Sequence, residues 1–219
     1  MELSAVSDVR PIFSSFPNYQ AESAIIGRIL TGFGDVEYQL ARCTGLAIGN
    51  FRAAFRALFR LTGGDVRLQV ADALMRPAYE KIGLKNEYEA MLGAFRHLKT
   101  IRNQYAHAHF MQTEKDGLFF TDMQQPAKTS AGLLRHPMRH LDVPLLEKQE
   151  YFAIYVSDWL WFLDYEYCLR DGQIPSHDWK APKIIDLPLL HNLPEEHPFP
   201  TMFSDNESPP TAESFRRAI

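Results

Sequence analysis

Residues 86–108 read NEYEAMLGAFRHLKTIRNQYAHA. Met91, Phe95, Leu98, Ile101, Tyr105 and Ala108 recur at intervals of three and four, the repeat of a helix that buries one stripe. Asn86 followed three residues later by Glu89 is a capping-box pattern, so the spacing predicts a helix that starts at Asn86 and runs through Ala108. One apolar stripe needs another to bury against, and the flanking sequence supplies several with the same period.

Upstream, Ile25, Ile29, Phe33, Val36, Leu40, Cys43 and Ala47 predict a long first helix. Gly32 and Gly34 interrupt it, each at a cost of ~1 kcal/mol relative to Ala, and mark either a bend or a close helix crossing. Asn50 is placed to cap a second helix with Phe51, Ala54, Phe55, Leu58 and Leu61 inward, ended by Gly63-Gly64. A third, over residues 65–81, carries Pro77 and is expected to kink there. Downstream, Asp116-Gly117 reads as a turn into one short strand, Leu118-Phe119-Phe120-Thr121, and residues 123–142 as a loop. A last helix over residues 142–170, with Phe152, Tyr155, Trp159, Phe162 and Leu163 inward, is stopped by Gly172. The expected fold is all-α: an antiparallel helical bundle of about five helices with one minor β element and an extended Pro-rich C-terminal tail.

Proline divides the chain. Between Asn18 and Gln125 only Pro77 occurs, whereas eight of the fourteen prolines lie from Gln173 onward. The sequence therefore splits into an N-terminal segment (1–20), the bundle (21–172) and a tail (173–219), which reads as an arm laid over the domain or over a partner, fading into disorder from Ser204. With 46% apolar residues in 219, the chain can build one substantial core. A formal charge of minus four, from 23 Lys and Arg against 27 acids, excludes a global basic field, so any nucleic-acid contact must be local. Cys43 and Cys168 lack metal or redox spacing and read as two buried thiols in a reducing compartment. Residues 1–10 do not read as a secretory leader, and no window approaches the ~20 apolar residues that span a bilayer, so a soluble cytoplasmic protein without membrane contact is expected.

Chemistry concentrates in Arg102-Asn103-Gln104-Tyr105-Ala106-His107, late on the quoted helix. Five helical residues rise ~7.5 Å and turn ~140°, so Arg102 and His107 need a groove wide enough to see both, while Asn103 and His107, at i and i+4, stack. In that geometry Asn103 orients the imidazole and the planar fork of Arg102 meets a phosphate. Arg135-His136-Pro137-Met138-Arg139-His140 repeats the interval, but Pro137 removes it from any helix interior. Arg52, Arg56 and Arg60, at i, i+4 and i+8, form a stripe that either tracks an RNA backbone or is a solvated face. His107 and His109 would diverge by ~200° on a helix, so no metal site is expected. Asp35 and Glu37 either approach His107 or are ordinary surface acids, and Trp159, Trp161, Phe162, Tyr165 and Tyr167 are assigned to packing.

An arginine followed directly by a polar residue, with a histidine a few positions on, late in a helical bundle, resembles the HEPN family (higher eukaryotes and prokaryotes nucleotide-binding). The resemblance covers residues 21–170 and rests on Arg102, Asn103 and His107. It implies a metal-independent endoribonuclease with no cofactor, of toxin or defence type. RNA would be its substrate, the site would lie where two copies of the motif helix meet in a homodimer, and an antitoxin or regulatory protein would be a further partner. His107 would then be the base that deprotonates a ribose 2′-OH, Arg102 the phosphate binder, and Asn103 the orienter. The alternatives are a non-catalytic HEPN nucleotide-binding or regulatory module, since a fold does not confer activity, and an unrelated helical interaction protein.

Overall fold

A computed structural model of the protein describes residues 16–112, 117–123 and 139–192. After a short 3-10 turn (Phe16–Asn18) come α1 (Gln20–Ala47), α2 (Phe51–Arg60), α3 (Gly64–Lys81) and α4 (Lys85–Ala106). A three-stranded antiparallel sheet follows, β1 (Ala108–Gln112), β2 (Leu118–Asp122) and β3 (Arg139–Leu141), in the order β1-β2-β3, and then α5 (Val143–Arg170). The all-α expectation with a minor β element stands. The expected N-terminal segment falls outside the described residues up to position 15, as do residues 135–138 of the second Arg-His repeat and the tail beyond 192.

Successive helices alternate in direction: short turns reverse the chain from α1 to α4, and the sheet reverses it from α4 to α5, where Tyr105 meets Gln149 and His97 meets Phe152. With an odd number of helices the first and last then run the same way, and α1 and α5 pack in parallel register. Arg28 pairs with Glu150, the Ser157 hydroxyl donates to Gln39 at 3.1 Å, Arg42 Nε donates to Asp164 at 2.8 Å and the Cys43 thiol to the Leu160 carbonyl at 3.4 Å. The core lies between them and α4: Ile29, Phe33, Leu40, Phe95, Leu98, Ile101, Phe152, Val156 and Leu160 are all buried. α5 touches α1, α4 and the arm and buries residues on more than one side, Trp159, Phe162 and Tyr167 among them as expected.

Local signals account for several boundaries. Asn50 Oδ1 accepts the Ala53 N–H at 3.0 Å and Asp142 Oδ1 the Leu145 N–H at 2.9 Å, capping α2 and α5. Gly172, just past α5, takes φ +75°. Other expectations are corrected. The residue before α4 is Leu84, with no side-chain cap; Asn86 lies inside the first turn, and Glu89 pairs with Arg76 of α3 instead of reaching back. α4 stops at Ala106, because Ala108 and His109 leave it to pair with Asp122 and Thr121. The single expected strand is the middle of a sheet, and β3 occupies part of the expected loop. α3 keeps its expected end at Lys81, with Pro77 inside the helix. Cys168 is only half-buried, whereas Cys43 is fully buried; both are free thiols. In α2 the inward residues are Ala54 and Leu58, while Phe51 and Phe55 are exposed and Leu61 is half-buried.

Gly32 and Gly34 face open space, whereas a Cβ at Gly45 would come 2.7 Å from the Phe51 Cα. The close crossing is thus at the α1–α2 corner. Gly45→Ala must push backbone aside, and a loss of about 1–3 kcal/mol is expected, seen as a lower denaturant midpoint with an unchanged slope; Gly34→Ala, with nothing to displace, should not destabilise.

Candidate functional site

The motif divides between two jobs. Gln104 and Tyr105 are buried on the core side of α4, while Arg102 and Asn103 are half-buried and His107 is exposed. Gln104 Nε2 donates to the Leu190 carbonyl at 2.8 Å, and the Tyr105 hydroxyl donates to Gln149 Oε1 of α5. Gln149 Nε2 in turn donates to the carbonyls of Leu189, at 2.6 Å, and Leu190, at 3.3 Å. His97, two turns earlier on α4, bonds the Pro188 carbonyl at 2.8 Å. Burial pushes the Tyr105 hydroxyl up from its ordinary range, against the pull of Gln104 and Gln149, so it stays a proton donor.

These bonds fix the arm. Leaving α5 at Gly172, it doubles back along that helix: His177 meets Glu166 at 2.9 Å, and Trp179 stacks on Tyr165 and Trp161 with ring centroids 5.9 and 6.1 Å apart. It ends among the described residues at Asn192, whose N–H donates to the His140 carbonyl of β3 at 3.1 Å. The expected arm therefore lies over the domain itself through residue 192.

On the α1-facing edge of α4, the Arg102 guanidinium lies over the Phe33 ring, 5.6 Å from its centroid, and Nη1 donates to Asn103 Oδ1 at 3.1 Å. Its Nε is buried and, among the described residues, has no hydrogen-bond partner. The half-buried arginines 42, 67 and 76 each meet a carboxylate, Asp164, Glu37, and Asp72 with Glu89. Arg102 meets none among the described residues. Glu37, considered as a neighbour of His107, is occupied by Arg67.

His107 closes the helix at φ −121° and ψ 17°, its N–H donating to the Asn103 carbonyl at 3.3 Å and its carbonyl accepting the Met123 N–H at 3.1 Å. Both backbone groups are tied, one to α4 and one to the end of the β1–β2 ladder, so the residue sits on a rigid junction with its imidazole in solvent. Among the described residues no side chain bonds that imidazole. Arg102 and Asn103 are therefore brought together, and Asn103, expected to orient the imidazole, bonds Arg102 through its amide oxygen. His109 belongs to β1, not to a helix, which replaces the helical argument about the His107–His109 pair. Arg52, Arg56 and Arg60 are all exposed on α2.

Sequence reasoning missed Gln104, Tyr105 and Gln149 as the arm's anchor and Phe33 as the seat of Arg102. The available signal was a glutamine on each of two buried stripes, Gln149 falling between Leu145 and Phe152. Comparison with protein-family models, with curated proteins and with solved structures finds no match for this chain.

The split makes a stability prediction. Gln149→Leu strips the partner from a buried hydroxyl and two carbonyls and should cost about 2–4 kcal/mol, whereas His107→Ala, at an exposed side chain, should stay within about 0.5 kcal/mol. Equal melting shifts for the two would contradict the division.

Proposed function

We propose that this protein is a metal-independent endoribonuclease of the HEPN type. The observation that carries the reading is Arg102: a half-buried guanidinium with an unpartnered Nε and no carboxylate among the described residues, one and a half helical turns from an exposed histidine. A guanidinium held out of bulk water without a counter-ion favours an arriving anion, and its planar fork suits a phosphate.

In this reading His107 takes the proton of a ribose 2′-OH as that oxygen attacks the adjacent phosphorus. The P–O5′ bond breaks, the leaving oxygen collects a proton, and the products are a 2′,3′-cyclic phosphate and a 5′-OH. Arg102 stabilises the charge on the phosphoryl oxygens, and Asn103 acts as the positioning residue for Arg102 through the 3.1 Å bond between them. Because Arg102 and His107 diverge by ~140° around the α4 axis, a groove between two copies of α4 would see both, which makes a homodimer part of the proposal. A defence or toxin role, with an antitoxin or regulatory partner, follows from the family resemblance alone.

One observation favours a second reading, a non-catalytic nucleotide-binding or regulatory module. Asn103 is engaged with Arg102, so nothing among the described side chains fixes the imidazole tautomer.

The assay is cleavage of single-stranded RNA with chelator present. Wild type should yield cyclic-phosphate ends, and His107→Ala and Arg102→Ala should each lower the rate by roughly 10²–10³. Substrates with 2′-deoxyribose at the cut site should resist. Indistinguishable background degradation by wild type and His107→Ala would remove the catalytic assignment and leave the binding module.

A further inference from the structure

The surface of α2 is unlike any other helix face described here. Its sequence, FRAAFRALFR, contains no acid, and only Ala54 and Leu58 are buried. Phe51, Phe55 and Phe59 are 40%, 37% and 38% exposed. At ~100° per residue they span ~80° of the helix circumference, and Arg52, Arg56 and Arg60 span the next ~80°. Among the described residues none of these three arginines has an ion pair or hydrogen bond, and all are exposed.

The rings form one continuous ladder. Phe51 and Phe55 centroids are 5.9 Å apart and Phe55 and Phe59 4.5 Å, while Tyr38 of α1 flanks Phe51 at 5.9 Å and Phe55 at 6.3 Å. Arg67 caps the far end, 4.9 Å over the Phe59 ring. At the near end, Phe51 and Tyr38 open into a hollow of about 530 Å³ with Arg42 and Gln173 on its wall.

We propose that this face binds single-stranded RNA, with bases on the Tyr38–Phe51–Phe55–Phe59 ladder and phosphates on Arg52, Arg56 and Arg60. Aromatic faces in a row beside a row of cations match a single strand, which exposes unstacked bases along one edge and phosphates along the other. The four-residue rise of ~6 Å between successive rings, and between successive arginines, places them at a repeat comparable to that of an extended strand. A duplex buries its base faces and would leave the rings unused. A second copy of this chain docked two-fold on this face would set arginine rows against each other with no acid on the helix to relieve them.

The ladder also leads somewhere. Arg67, over Phe59, pairs with Glu37 of α1, and one turn back along α1 Phe33 lies under Arg102. This relay of contacts links the far end of the ladder to Arg102. A functional role for that link rests on the ribonuclease reading; the α2 surface does not.

Binding is measured by fluorescence anisotropy on the full chain, with a labelled 2′-O-methyl strand of about twelve nucleotides, which resists cleavage by 2′-OH attack. Wild type should bind it more tightly than a duplex of equal length. Replacing the three arginines together by glutamine should reduce the slope of log affinity against log salt by about two. Phe51→Ala with Phe55→Ala should weaken binding roughly tenfold or more. If the phenylalanine pair loses helical circular dichroism, the arginine variant, altered only at exposed positions, decides. Unchanged affinity and salt slope in the arginine variant overturn the proposal, as does equal competition by polyglutamate, which would mark an acidic protein partner, or a change in sedimentation in place of binding, which would mark self-association. The two readings also fail separately. α2-dependent binding without His107-dependent cleavage removes the ribonuclease alone, and His107-dependent cleavage with wild-type binding in the α2 variants removes this surface alone.

Discussion

A single buried amide, that of Gln149, joins three parts of the chain. It accepts from Tyr105 of α4, sits on α5, and donates to two carbonyls of the arm. No regular structure satisfies the backbone of residues 188–190, so without side-chain donors those carbonyls could not lie against a packed core. Gln149, Gln104 and His97 provide the donors, and the arm in turn covers the seam between α4 and α5. Gln104 and Tyr105 face this seam, while on the same turn Arg102 lies over Phe33 of α1 and holds Asn103. The anchoring of the arm and the presentation of the candidate site are thus two faces of the same helical turn.

The parallel register of α1 and α5 follows from the count of helices, and it has a chemical consequence. Two aligned helices bring side chains together at a nearly constant sequence offset, and polar pairs at Arg28–Glu150, Gln39–Ser157 and Arg42–Asp164 occupy that seam. Such pairs contribute little energy where exposed but penalise a slip of one turn, which would leave Asp164 buried beside no cation. The same logic places Glu37 with Arg67 and Asp65 with Lys99, holding the start of α3 against α1 and α4.

The long helices were legible because their stripes are unambiguous: Ile25 through Ala47 and Met91 through Tyr105 each offer one apolar face. α2 was not, because its ten residues carry two candidate stripes, Phe51-Phe55-Phe59 and Ala54-Leu58, and hydrophobicity alone favours the larger rings. Burial went to the smaller stripe because Gly45 lets α2 approach α1 until the Phe51 backbone fills the gap, a distance at which bulky side chains fit only at the edge. The end of α4 was misplaced for another reason. Ala108 continues the helical period, yet β1 gains a full hairpin ladder with β2, from Gln112 opposite Leu118 to Ala108 opposite Asp122. In the motif, the identities of Arg102, Asn103 and His107 could be read, but not that Asn103 turns to Arg102, since two acceptable partners lie within its reach and packing decides between them.

The overall charge of minus four conceals how the cations are used. Arg28, Arg42, Arg67, Arg76, Lys99 and Arg170 each meet a carboxylate and are absorbed into the fold. Among the described residues Arg52, Arg56, Arg60 and Arg102 meet none, and the contacts Phe59–Arg67–Glu37 and Phe33–Arg102 connect α2 to Arg102 across one stretch of α1. A half-buried guanidinium without a counter-ion costs free energy that a ring face at 5.6 Å and one neutral amide only partly offset. Pairing Arg102 with a nearby acid would remove that cost and also remove its attraction for an external anion. Among the described residues Arg102 is left beside no acid, while the half-buried arginines 42, 67 and 76 on neighbouring helices are neutralised.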